Sequence, residues 1–162
     1  MSADNHPNAH VITQFYQAFQ QRDFAGMQAC YHPDISFEDA VFKLKGKQVH
    51  AMWHMLCLAG KDLSIHFDTP SADAEKGAAH WIATYTFSAT GRSVRNVVSA
   101  QFTFQDGKII RHHDSFSFYH WLRQAIGSFG ALMGWTPWLQ NKVRATALLN
   151  LNKFIEAHPE YA

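Results

Sequence analysis

AHWIATYTFSATGRSVRNVVSAQFTFQDGKIIRHHDSFSFY, residues 79–119, decides how this chain folds. It reads as three long antiparallel strands, His80–Ser88, Val94–Phe104 and Lys108–Phe118, with Thr90-Gly91 and Asp106-Gly107 between them. Glycine supplies the positive φ that a two-residue hairpin turn needs, and Asp-Gly is among the strongest signals for one. In the second strand Val98, Ala100, Phe102 and Phe104 alternate with Ser99, Gln101 and Thr103. That period puts one face against a core and the other towards water or a partner.

Two-residue loops set an expected register. Gln105 opposes Lys108; counting back, Phe102 opposes Arg111, Ala100 opposes His113, Val98 opposes Ser115 and Asn96 opposes Ser117. Across the other turn Trp81 opposes Ala100, Ala83 opposes Val98 and Tyr85 opposes Asn96. Opposed residues share a face. The expected inward face therefore carries Trp81, Tyr85, Asn96, Ala100, Phe102, His113, Ser115 and Ser117. It is apolar at one end and polar at the other, which suits a pocket. Asp114 faces outward in this register. A bulge would shift the register by one residue and exchange His113 for His112 or Asp114.

Before this meander the chain is mostly helical. Met1 to Asn8 is a polar lead-in. Val11, Ile12, Phe15 and Phe19 then form one stripe opposite Gln14, Gln17, Gln20 and Gln21, the pattern of an amphipathic helix. Asp23 is placed to cap a second short helix carrying Met27 and Tyr31, and His32-Pro33 stops it. Ile35–Glu38 reads as a strand. A third helix runs from about Lys47 to Leu58, with Val49, Met52, Trp53 and Leu56 inward and Gly60 as its stop. Leu63, Ile65 and Phe67 begin the sheet, and Pro70–Gly77 is a polar turn.

After the meander, Trp121–Gly134 is apolar and rich in glycine. Thr136-Pro137 reads as a cap with proline at the first helical position, opening a helix to about Ala157 that His158-Pro159 ends. Leu139, Val143, Ala147, Leu151 and Phe154 share a stripe, so this helix is expected to pack on the body or on a second subunit. Lys142, Arg144 and Lys153 are too few for a strongly basic membrane-surface helix.

The 162 residues suffice for one domain with a real core. A net charge of +1 argues against nucleic acid as the main partner. The two cysteines, Cys30 and Cys57, sit in helical segments and read as reduced and buried. There is no signal-peptide pattern and no apolar run long enough for a membrane span, so a cytoplasmic protein is expected. His50 and His54 stand one helical turn apart, but Ala51-Met52-Trp53 between them lacks the glutamate of a zinc-protease helix, and no metal is assigned.

Three helices, a short strand and a long meander make an α+β order. The runs FYQAFQQRDF (15–24) and YHPDISFED (31–39) resemble the opening of the nuclear transport factor 2-like superfamily. Gly107-Lys108-Ile109 through His113-Asp114 to Gln124-Ala125-Ile126-Gly127 resembles the closing strand and tail of its SnoaL-like polyketide cyclase branch. The resemblance implies a strongly bent, mostly antiparallel sheet wrapped as a cone around three N-terminal helices, with a small-molecule pocket at its open end. The core would span about residues 8–127 of a single domain (1–162), and about residues 128–158 would be an extra C-terminal helical extension. It also implies homodimers through the outer sheet face, and activities such as those of ketosteroid isomerase, scytalone dehydratase and limonene epoxide hydrolase, alongside members that are not enzymes.

Asp39 falls where the isomerase keeps its general base, and a carboxylate in an apolar pocket can hold a raised pKa and move a proton. The isomerase's two oxyanion donors fall on Phe15 and Ala100, which donate nothing, so steroid isomerisation is rejected. The cyclase aspartate falls at about Ser117, and His113 stands where that branch often has tryptophan. The expectation is a cofactor-free acid–base enzyme (isomerase, dehydratase, hydratase or cyclase) on a small, largely apolar substrate. Asp39 is its base and His113 the partner acid, with Asp114 taking that role if a bulge intervenes. Tyr16, Trp53, Trp81, Tyr85, Asn96, Phe102 and Ser117 would line the ligand site. A binding or assembly module with the same cone is the alternative.

Overall fold

The computed structural model describes residues 5–162. The part of the polar lead-in before Asn5 lies outside the described residues. Helix α1 (Pro7–Gln20) starts at the His6 cap and turns Ile12, Phe15, Tyr16 and Phe19 inward. Asp23 caps α2 (Phe24–Ala29) through the Gly26 N–H. Strand β1 (Tyr31–Glu38) starts earlier than Ile35, so Tyr31 belongs to the sheet and not to α2. Strand β2 (Lys43–Lys45) folds back on β1, and α3 (Lys47–Ala59) buries Val49, Met52 and Trp53. Strands β3 (Ser64–Phe67), β4 (Ser71–Ala72), β5 (Lys76–Phe87), β6 (Arg92–Gln105) and β7 (Lys108–Ser115) follow.

The sheet order is β2-β1-β7-β6-β5-β3, with β4 pairing β5 inside the stretch read as a turn. β1 runs parallel to β7, and the other pairs are antiparallel. The sheet curls without closing around α1–α3, the expected α+β cone. Gly77 lets α1 press on β5: a Cβ there would stand 2.7 Å from Ile12 Cδ1. The outer face alternates as the pattern demands, with Ser99, Gln101, Arg111 and His113 exposed.

Both turns depart from the expected register, with opposite consequences. The β5–β6 loop is four residues, Ser88–Gly91, because Phe87 pairs with Arg92. Trp81 therefore opposes Val98, Ala83 opposes Asn96 and Tyr85 opposes Val94. The shift is two residues, so every side chain keeps its face. At Asp106-Gly107 the two-residue turn forms, with φ of 55° and 73°, and Gln105 opposes Lys108. Ile110 is then extra: Phe104 opposes Ile109, but Thr103 opposes Arg111. This one-residue bulge reverses the rest of β7. Phe102 opposes His112 and Ala100 opposes Asp114. His112 and Asp114 point into the cone, while His113 and Ser115 face out.

Past β7 the chain turns helical at once. The third strand stops at Ser115, and Ser117 caps α4 (Phe118–Ile126) by accepting from the His120 N–H. Then come α5 (Ser128–Met133) and α6 (Pro137–Ala157), capped by Thr136 and followed by a short 3-10 turn at Pro159–Tyr161. α6 packs on α3: His54 stacks on Phe24, meets Phe154 and His158 edge-on, and shares a 2.9 Å hydrogen bond with Tyr161. His50 lies against Tyr31 instead. No helix of the described residues is long and apolar enough to cross a membrane.

Candidate active site

The bulge and the parallel β1–β7 pair build one polar line through an aromatic interior. Phe37 opposes His112 across β1 and β7, and Tyr31 lies further down the same strand. Trp53 on α3 donates its Nε1–H to the Tyr31 hydroxyl at 3.0 Å. That hydroxyl lies 2.7 Å from His112 Nδ1, and His112 Nε2 lies 2.9 Å from Asp114 Oδ1. Trp81 donates its Nε1–H to the same Asp114 oxygen at 3.4 Å. An indole can only donate, so the assignment that uses every hydrogen has Tyr31 donating to His112 and His112 donating to Asp114. The His112 side chain is fully buried and that of Asp114 is 3% exposed. The rings of Phe15, Phe37 and Phe102 surround His112.

Buried polar groups in such surroundings cost several kcal/mol each unless partnered, so a fully bonded line is a demanding feature to maintain. Two buried atoms of the described residues stand outside this bonding: the Tyr16 hydroxyl and His50 Nδ1 have no hydrogen-bond partner. Tyr16 packs against Phe67, Trp81 and Phe102. Burial, then the charge of Asp114, pushes its pKa well above the ordinary value. Burial does the same to Tyr31, partly offset by the Trp53 N–H.

Asp39 follows the end of β1, so strand alternation turns it to the side of Phe37 and His112. Its Oδ1 accepts from the Val41 and Phe42 N–H groups, both at 2.7 Å. Burial nevertheless lifts the carboxyl to about 6; the two N–H groups pull the other way, Asp114 adds to the rise and His112 opposes it. The cap of this turn uses one carboxylate oxygen, Oδ1.

The C-terminal extension closes over this loop. Arg144 on α6 donates its Nε–H to Ala40 O at 2.8 Å and lies 5.0 Å over the Phe118 ring. Trp121 on α4 donates to the Tyr85 hydroxyl at 2.7 Å. Arg92 and Arg95 of β6 bind Gln124 of α4. The mouth of the cone is thus walled by α4 and α6.

The expected site residues separate accordingly. Tyr16, Trp53, Trp81 and Phe102 lie in the interior, packed against one another. Tyr85 and Asn96 are half-buried on the inward face nearer the mouth. His113 is corrected: the bulge puts it outside, and His112 takes its place. Ser117 is corrected: it is an exposed helix cap. The outward placement of Asp114 in the bulge-free register is corrected for the same reason as His113. Tyr31 and Arg144 lie outside the expected set, and His112 enters it only as the bulge alternative to His113. The adjacent pair Ile109-Ile110, which breaks alternation just after the turn, is the signal that marks the bulge. Two concavities lie outside the cone: about 710 Å³ beside Ser36, Lys45, Thr103 and Arg111, and about 350 Å³ beside Ser71, Lys76 and Gln101.

The family model described as SnoaL-like domain matches residues 12–112. The chain belongs to the SnoaL-like family. Solved structures agree on the fold. A proposed polyketide cyclase from Silicibacter sp. TM1040 is 21% identical, with 73% of this chain and 94% of that one covered and a TM-score of 0.63. An LEH-like epoxide hydrolase from M. tuberculosis is 17% identical, with coverage of 80% and 97% and a TM-score of 0.59. A nuclear transport factor 2-like protein of unknown function from Burkholderia pseudomallei K96243 is 17% identical, with coverage of 69% and 92% and a TM-score of 0.59. No curated protein matches the chain. At these identities the SnoaL-like fold is shared and the chemistry has to be argued from the side chains.

Proposed function

We propose that this SnoaL-like protein is a cofactor-independent acid–base enzyme acting on a small, largely apolar substrate at the mouth of the cone. The observation that carries the reading is Asp39: a carboxyl lifted to about 6, clamped by one oxygen, on the side of the buried His112–Asp114 pair. A base tuned towards neutral pH is suited to taking a proton from a carbon acid or from a water molecule. Asp39, once protonated, gives the proton back; His112, whose two ring nitrogens are engaged by Tyr31 and Asp114, holds the polar line behind it, and the unpartnered Tyr16 hydroxyl is available to donate to a substrate oxygen. The walls of Phe15, Phe37, Trp53 and Trp81 favour a substrate with apolar rings. A proposed polyketide cyclase and an LEH-like epoxide hydrolase share the fold, so our screen starts with carbonyl compounds and epoxides.

The test is α-proton exchange of a small cyclic ketone such as 2-tetralone in D2O, followed by NMR, together with opening of an apolar epoxide. One of the two is expected to run at least tenfold above buffer, with a rate rising through about pH 6 as Asp39 ionises. Asp39→Asn is expected to lower it by about 100-fold or more. No catalysis in either assay, or unchanged rates in both Asp39→Asn and His112→Ala, would overturn the reading.

A second reading, a cone that binds or assembles without chemistry, is favoured by one observation: Tyr16, Trp53, Trp81 and Phe102 fill the interior and are at most 7% exposed. It predicts saturable binding of an apolar ligand with no turnover at any pH.

A further inference from the structure

The corner formed by α5 and the start of α6 inverts the usual arrangement of a surface helix. Its small residues face inward: a Cβ on Gly130 would lie 2.1 Å from Leu122 O, and one on Gly134 would lie 2.3 Å from Gly130 O and 3.1 Å from Tyr119. Gly130 and Gly134 are buried, while Phe129, Leu132, Trp135 and Trp138 are 47%, 70%, 69% and 56% exposed. Phe129 and Trp138 meet edge-on at 6.4 Å, and the Trp135 Nε1–H donates to the Leu132 backbone carbonyl at 3.0 Å. Leu148 and Leu149 on α6 are also exposed. A lone chain gains nothing from showing water four large apolar groups on a rigid glycine-backed corner; contiguous patches of this kind mark interaction surfaces.

Charge selects the occupant. Between Asp114 and Glu156 the sequence has no Asp or Glu, and its four charged residues are Arg123, Lys142, Arg144 and Lys153. Arg144 is spent on Ala40 and Phe118, but Lys142 lies over the Trp138 ring at 5.2 Å and Arg123 is exposed on α4. Arg92 and Arg95 are exposed on β6, where they bind α4. Asp62, on the loop before β3, is held by Thr86 of β5. A second copy on this corner would bring the same cations and no carboxylate from this stretch of sequence to meet them. Tryptophan and phenylalanine rimmed by Lys and Arg, with no acid, match the boundary of an anionic lipid layer, where rings sit at headgroup level and cations meet phosphates.

We propose that the α5–α6 corner docks this protein on an anionic membrane surface, with Leu132, Trp135 and Trp138 inserted shallowly and Arg123 and Lys142 at the lipid phosphates. The proposal is independent of the interior chemistry. The test is co-sedimentation with 1:1 phosphatidylglycerol–phosphatidylcholine vesicles against pure phosphatidylcholine, with tryptophan emission read in parallel. Trp53 and Trp81 are buried and Trp121 is half-buried with its N–H on Tyr85, so an emission shift lost in the Trp135 variant reports on the corner. Binding to the anionic vesicles at least tenfold above neutral ones, a blue shift, and loss of both in Leu132→Ser/Trp135→Ser with unchanged circular dichroism are expected. Absence of binding, or equal binding to neutral vesicles, would overturn it. So would a solution mass that halves on the same double substitution, because the corner would then hold a second copy.

Discussion

The inner wall of the cone and the α5–α6 corner are made of the same kinds of side chain and end in opposite states. Inside, Phe15, Trp53, Trp81 and Phe102 are covered, and every indole N–H there finds an oxygen in the His112–Asp114 line. At the corner, Trp135, Trp138 and Leu132 stand out in water, and the Trp135 N–H is tied to a carbonyl of its own turn. Burial follows from backbone register in one case and from glycine placement in the other. Aromatic content alone distinguishes neither. The difference also separates two kinds of consequence: a change in the wall alters stability and chemistry, whereas a change at the corner alters what the protein touches.

The largest effect is expected from Asp114→Ala. Asp114 Oδ1 is the acceptor for both His112 Nε2 and the Trp81 Nε1–H in the ring-lined interior, so its loss leaves two buried donors unpartnered and a void beside them. Together these cost about 4 kcal/mol or more. The variant is expected to melt on the order of 10 °C lower than the parent. A variant that melts like the parent would show that the buried line does not hold the wall, and the contrast between wall and corner would lose its physical basis.

Asp39→Asn tests the wall more finely, and its sign is unusual. The carboxyl sits at about 6 in the fold against an ordinary 3.8. Below pH 3.8 it is protonated folded and unfolded, so it costs nothing. Between 3.8 and 6 the unfolded chain ionises first and stability falls; above 6 the full penalty, at most about 3 kcal/mol, is in place. Asparagine keeps an oxygen for the Val41 and Phe42 N–H groups and never ionises. The variant is therefore expected to melt higher than the parent at pH 8, on the order of 5–10 °C, and equally at pH 3.5. Such a gain in stability beside a loss of exchange activity is the mark of a residue kept for chemistry. Equal melting at both pH values would remove the strain from Asp39.

Most of this contrast between wall and corner was legible in the sequence only by halves. The strands, the caps at Asp23 and Thr136, and the Asp-Gly turn follow from local chemistry and stand where the residues put them. The β5–β6 loop is longer than Thr90-Gly91 suggested, yet a two-residue slip leaves Trp81, Tyr85, Asn96 and Phe102 on the inward face. The one-residue slip at Ile110 does not forgive: it exchanges His113 for His112 and brings Asp114 inside. Side-chain alternation has a period of two, so sequence reading tolerates even errors and fails on odd ones. Ser117 failed for a different reason, since a serine immediately before a helix can extend a strand or cap the helix, and only the turn of the chain decides. Arg144 lies 104 residues from the carbonyl it binds, and no local pattern could have joined them.

The smallest effect is expected from the corner itself, in solution. Leu132→Ser and Trp135→Ser remove side chains that are 70% and 69% exposed, with no buried partner to lose beyond the Leu132 carbonyl bond. Each is expected to change the unfolding free energy by no more than about 0.5 kcal/mol, measured by urea melts in the absence of lipid. The contrast with the wall is the point, because Phe102→Ala should cost about 3–5 kcal/mol for a side chain of the same class. If the serine variants instead destabilised the lone chain by 2 kcal/mol or more, these side chains would be structural, and their exposure would no longer argue for a surface held in readiness for a membrane. If they leave stability untouched, the cost of keeping large apolar groups in water has to be offset by something outside the monomer, and that is the ground on which the docking proposal stands.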